Sequence, residues 1–73
     1  MILDVLYDDY YGYYTILYEQ FHNAKLRTKR IYRSGYYGIN KNREAIFSTG
    51  KRVYAYSVSP FGTIQRRLIK IYR

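Results

Sequence analysis

From Arg52 to Val58 the chain alternates: Val53, Ala55 and Ser57 fall on one side, Tyr54, Tyr56 and Val58 on the other. A period of two is the signature of a β-strand. EAIFS (44–48) precedes this run across the short turn TGK, and IQRRLIKIY (64–72) follows it after SPFG, where the only proline stands beside a turn glycine. Residues 44–72 therefore read as an antiparallel meander. Upstream, ILDVLY and YYTILYEQF flank DDYYG, whose Asp and Gly residues suit a tight connection, so a second hairpin is expected. In that hairpin Tyr13 or Tyr14, with Tyr18, should supplement the core, while Tyr7 to Tyr11 decorate the turn.

The stretch AKLRTKRIYR (24–33) supports two readings. As a strand it places Lys25, Arg27, Lys29 and Arg33 on one face and Leu26, Thr28 and Tyr32 on the other. As a helix it continues a stripe at Leu17, Phe21, Ala24, Thr28 and Ile31, spaced 4, 3, 4 and 3. Good helix formers are present, basic residues crowd its C-terminal end, and Gly35 could cap it. The expected fold is mainly β, a single small antiparallel meander or barrel-like sheet of five or six strands. The alternative is α+β with one basic helix near residues 16–33. No repeat, low-complexity tract or linker divides the chain, so residues 1–73 read as one small basic domain.

Composition then limits how such a sheet can be stabilised. A chain of 73 residues buries only about 60% of the surface it exposes when unfolded. Without cysteine there is no disulfide, and with His22 the one imidazole a zinc site lacks ligands. Twelve residues are Tyr and only 16 are Ile, Leu or Val, so phenol rings must supply core volume with their hydroxyls kept at the surface. No apolar run approaches the ~20 residues of a membrane span. MILDVLYDDYY is acidic where a signal peptide would be basic. Together with the absence of cysteine, this points to a cytoplasmic protein.

Charge changes the picture most. Residues 1–21 carry Asp4, Asp8, Asp9 and Glu19 and no cation; residues 22–73 hold all 13 Lys and Arg and one acid, Glu44. Three basic clusters result: Lys25, Arg27, Lys29, Arg30 and Arg33; Lys41, Arg43, Lys51 and Arg52; and Arg66, Arg67, Lys70 and Arg73. One such cluster is ordinarily a solvated face that keeps a protein soluble. Three with almost no interleaved acid repel one another, and a polyanion would relieve the repulsion.

Catalytic chemistry finds little support. Asp4, Asp8 and Asp9 are hard oxygen ligands of the kind magnesium takes, yet a turn-adjacent Asp pair has turn chemistry as its ordinary use. His22 has no nucleophile in a telling context. Glu44 is expected to pair with a neighbouring Arg. SGYYG (34–38) lacks a phosphate-binding helix pattern. No enzyme activity, cofactor or metal is expected.

RIYRSGYYGINKNR (30–43) is the constellation to weigh, with aromatics alternating with cations. Exposed tyrosines beside cations suit single-stranded nucleic acid, because every base has a π-face and every nucleotide a phosphate. The expected binding residues are Lys25, Arg27, Lys29, Arg30, Arg33, Lys41, Arg43, Arg52, Arg66, Arg67 and Lys70. The expected stacking rings are Tyr32, Tyr36, Tyr37, Tyr54 and Tyr56. The competing reading makes 34–38 a glycine-bearing loop whose tyrosines fold back on the core.

The reading from sequence is thus a non-catalytic nucleic-acid-binding module for single-stranded DNA or RNA. The alternatives use the same surface differently. Tyr and Arg are enriched at interface hot spots, so the partner could instead be an acidic protein surface. A composition heavy in Tyr, Ile, Asn, Lys and Arg suits an accessory protein of a virus or mobile element that modulates a host complex. In a self-assembling homo-oligomer, the acidic front of one copy would dock on the basic remainder of another.

Overall fold

The computed structural model describes residues 1–20 and 23–72. Among the described residues seven strands form: β1 (Ile2–Asp8), β2 (Tyr13–Glu19), β3 (Leu26–Ile31), β4 (Gly35–Ile39), β5 (Ala45–Ser48), β6 (Arg52–Val58) and β7 (Ile64–Ile71). All paired neighbours run antiparallel. They make a first sheet in the order β1-β2-β3 and a second in the order β4-β5-β6-β7. The protein is mainly β, and both the front hairpin and the 44–72 meander form where the alternation places them.

Three expectations are corrected. The strands divide between two sheets instead of one, and β3 and β7 do not pair to close a barrel. SGYYG is not a loop, since Gly35–Ile39 is β4. The helical alternative near 16–33 gives way to β2 and β3, in register from Tyr14↔Ile31 to Glu19↔Leu26. Cross-strand pairs of β-branched and aromatic side chains outweigh the modest helix propensity of the Ala, Lys, Leu and Arg residues. Phe21, a member of the helical stripe, and His22 lie outside the described residues.

The sheets pack face to face because each buries one side. Ile2, Ile16, Tyr18 and Ile31 of the first sheet meet Ala45, Phe47 and Tyr56 of the second. Phe47 is the hub: its ring centroid lies 5.6 Å from Tyr14, 5.1 Å from Tyr36 and 5.3 Å from Tyr56, tilted or edge-on to each. Such geometries suit aromatic quadrupoles. Tyr14 and Tyr36, 5.7 Å apart, join the two sheets directly. Tyr14 and Tyr18 supplement the core as expected of the front hairpin, and Tyr7, Tyr10 and Tyr11 are exposed.

Two polar tethers cross between the sheets. Gln20 Nε2 donates to the Gly62 carbonyl at 2.9 Å, and the Arg43 guanidinium donates to the Ile2 carbonyl. Gly62 has φ +83°, and a Cβ there would lie 2.9 Å from Gln20 Nε2. The left-handed backbone favours glycine here, and a Cβ would push aside the Gln20 side chain that makes this contact. Among the described residues no helix is long and apolar enough to cross a membrane.

Candidate nucleic-acid interface

Each sheet ends in edge strands, and on one side of the molecule the edges are β3 and β7. Register fixes which way their side chains face. Arg27 stands opposite Tyr18 and Lys29 opposite Ile16, both core residues, so these cations lie on the inward face of β3. Arg66 stands opposite the core residue Tyr56 and so lies on the inward face of β7. Inward-pointing charge at an edge is one way a sheet avoids pairing with a neighbour. Here both rims carry the same sign, which disfavours closing the space into a barrel.

The result is an open cleft of about 440 Å³. Lys29, Arg30 and Tyr32 line it on the first sheet's side, and Gln65 and Arg66 on the second. Ile31, Tyr56 and Ile64 are the less accessible lining residues and form its floor. No acidic side chain lines it.

Both cleft arginines rest on tyrosine rings. The Arg66 guanidinium carbon is 4.3 Å from the Tyr54 centroid, and that of Arg30 is 4.8 Å from Tyr13. These are cation–π distances. Hydrogen bonding to the Tyr56 hydroxyl, then the fields of Tyr56 and Tyr54, raises the Arg66 pKa above its ordinary value. Hydrogen bonding to Tyr32, then the field of Tyr13, does the same for Arg30. Both arginines are open to solvent.

The structure separates the expected binding residues into two groups. Lys25 precedes β3 and Arg33 follows it, so the first cluster lies on or beside this strand; Lys29 and Arg30 of it line the cleft with Arg66, whereas Lys25, Arg27 and Arg33 do not. The remaining cations do not converge there. Lys41 and Arg43 lie in the β4–β5 turn, with Arg43 engaged by Ile2; Arg52 begins β6. Arg67 points to the outer face, where its Nη2 contacts Glu44 Oε1 at 2.9 Å and Oε2 at 3.0 Å. Lys70 also faces outward, its Nζ 4.7 Å from the Tyr72 centroid. Three clusters in sequence thus give one cleft and a scattered remainder, because adjacent strand positions such as Arg66 and Arg67 point to opposite faces.

Glu44 pairs with an Arg as expected, although its partner is 23 residues away. Hydrogen bonds from Asn40 Nδ2 and Arg67 hold its carboxyl below the usual carboxylate range. Asp8 serves the turn: one carboxylate oxygen accepts from the Tyr10 and Tyr11 amides, each at 3.0 Å. Among the described residues no three or more His, Asp or Glu side chains gather as a metal site would require.

The stacking rings need correction. Tyr56 is only 7% exposed and Tyr36 packs on Phe47, with burial pushing its phenol pKa up. Tyr54 is half-buried and one face is covered by Arg66. These three act as core material, as a chain poor in aliphatic residues requires. Tyr37 is 72% exposed but belongs to the outer face of the second sheet, outside the cleft. Tyr32, 57% exposed at the cleft rim, is the expected ring that remains available there. Sequence reading missed Tyr13, the platform under Arg30, and Gln65 on the opposite rim. The outward position of Tyr13 in the front hairpin was a usable signal; Gln65 had none.

Comparison with protein-family models, curated proteins and solved structures gives no match for this chain.

Proposed function

We propose that this is a non-catalytic, cytoplasmic nucleic-acid-binding protein that holds single-stranded DNA or RNA along the β3–β7 cleft. The observation that carries the reading is a cleft with cations on both rims, no acid in its lining and an accessible tyrosine at its edge. Lys29, Arg30 and Arg66 neutralise phosphates, with Arg27, Lys25 and Arg33 extending the track along β3. Tyr32 offers a π-face to one base. A narrow space between two strand edges suits one strand of nucleic acid better than a duplex, whose bases are already stacked.

Three phosphate contacts to a single strand predict a slope of about −2 in log affinity against log salt. An electrophoretic shift series with labelled single- and double-stranded oligonucleotides tests this. A flat salt response, or no complex at low salt, would overturn the proposal.

A further inference from the structure

The β1–β2 connection presents two phenol rings to solvent for which the cleft has no use. Tyr10 is 84% exposed and Tyr11 71%. They are not loosely held: their amides bond to the Asp8 carboxylate, the Gly12 amide donates to the Asp8 carbonyl at 2.8 Å, and Gly12 has φ +75°. Tyr10 and Tyr11 meet edge-to-face at 4.7 Å, and Tyr11 stacks on Tyr13 at 6.0 Å. A preformed aromatic tip loses little conformational freedom on binding. Asp8 and Asp9 make it acidic.

The outer face of the second sheet offers the complement. Tyr37, Ile46, Val53 and Tyr72 line a shallow groove of about 340 Å³ whose lining surface is more apolar than polar. Lys70 supplies a cation at its rim, the ammonium 4.7 Å from the Tyr72 ring centroid, and the Tyr72 amide donates to the Lys51 carbonyl at 2.7 Å. No acidic residue occurs from 45 to 72. An exposed apolar groove with a cationic rim fits an acidic aromatic ligand, and the chain carries such a ligand on its other sheet.

We propose that the Asp9–Tyr10–Tyr11 tip of one copy docks into the Tyr37–Val53–Tyr72 groove of a second copy. The tip and groove are different surfaces, so the contact is heterologous and propagates head to tail. It does not depend on the nucleic-acid reading.

Sedimentation velocity of the full chain without nucleic acid, over a range of concentrations at low and high salt, tests the docking. Wild type should associate with rising concentration and less so in high salt. Y10S/Y11S disables the tip and Y37E the groove; all three positions are exposed, and circular dichroism checks that each variant is folded. Each alone should dissociate about tenfold more readily or worse. Mixed, they should form a one-to-one complex that grows no further, because the intact tip of Y37E enters the intact groove of Y10S/Y11S. A monomeric wild type throughout, association unchanged in either variant, or no complex in the mixture would each overturn the proposal.

Discussion

The seam around Phe47 and the cleft between β3 and β7 belong to the same space between two sheets, and they are occupied by opposite means. At the seam, Tyr14, Tyr36 and Tyr56 close on Phe47, and the sheets are held by aromatic contact. At the cleft, the inward positions of the edge strands hold Lys29 and Arg66, and the sheets stand apart. A chain with 16 Ile, Leu and Val residues can fill the centre of a sandwich with rings but leaves one flank unfilled. The lesson is that the open cleft arises where the core stops. Its cations cost stability in the free protein and are offset when an anion enters.

The sharpest way to break this contrast is Phe47→Ala. It removes the fully buried hub and should cost about 3–5 kcal/mol, enough to unfold much of a small domain, as read by urea denaturation. Next, Lys29→Met with Arg66→Met should do the reverse at the cleft. Oligonucleotide affinity should fall at least about tenfold at low salt, with a shallower salt slope, while the denaturation midpoint holds or rises. A midpoint that drops by as much as in Phe47→Ala would make the cleft part of the core and erase the distinction.

Tyr32→Ala should weaken single-strand binding by about 1–3 kcal/mol, the worth of one stacked base, and leave folding intact. Tyr36→Phe, at a core ring, should leave binding unchanged when both are titrated by fluorescence anisotropy. The smallest effect is expected at Glu44, on neither side of the comparison. Its carboxyl is depressed in the folded state, so its contribution is present above the ordinary carboxylate range and fades as pH falls through the lowered value. Glu44→Gln should therefore melt slightly below wild type at neutral pH and match it in strong acid.

Much of the fold was legible in the sequence because alternation and turn chemistry are local. Asp8 with Gly12, the TGK turn and SPFG all mark connections that the structure contains. The division into two sheets was not legible, since a strand's own pattern does not say which strands lie beside it. Gly35 and Gly38 disguised β4, whose pairing with β5 shifts between Tyr36 and Ile39. The direction of Tyr54 and Tyr56 was hidden for a specific reason. They share a face, but the other face of β6 carries Val53, Ala55 and Ser57, so either could have been the buried one. Charge singled out Lys29, Arg30 and Arg66, which the fold brings to one cleft, but the Arg67–Glu44 contact joins residues far apart in the chain. Only the folded register shows that Arg67 is engaged.

Residues 32–34 are the sole covalent passage between a front half whose strands pair only with one another and a rear half that does likewise. Two molecules can therefore trade halves without inventing a contact: the Tyr14 ring of one chain would meet the Tyr36 and Phe47 rings of the other as before. Concentrated refolding offers this exchange a direct route. An entwined pair formed that way would separate slowly and ignore salt, since what ties it together is the oily middle of the fold itself.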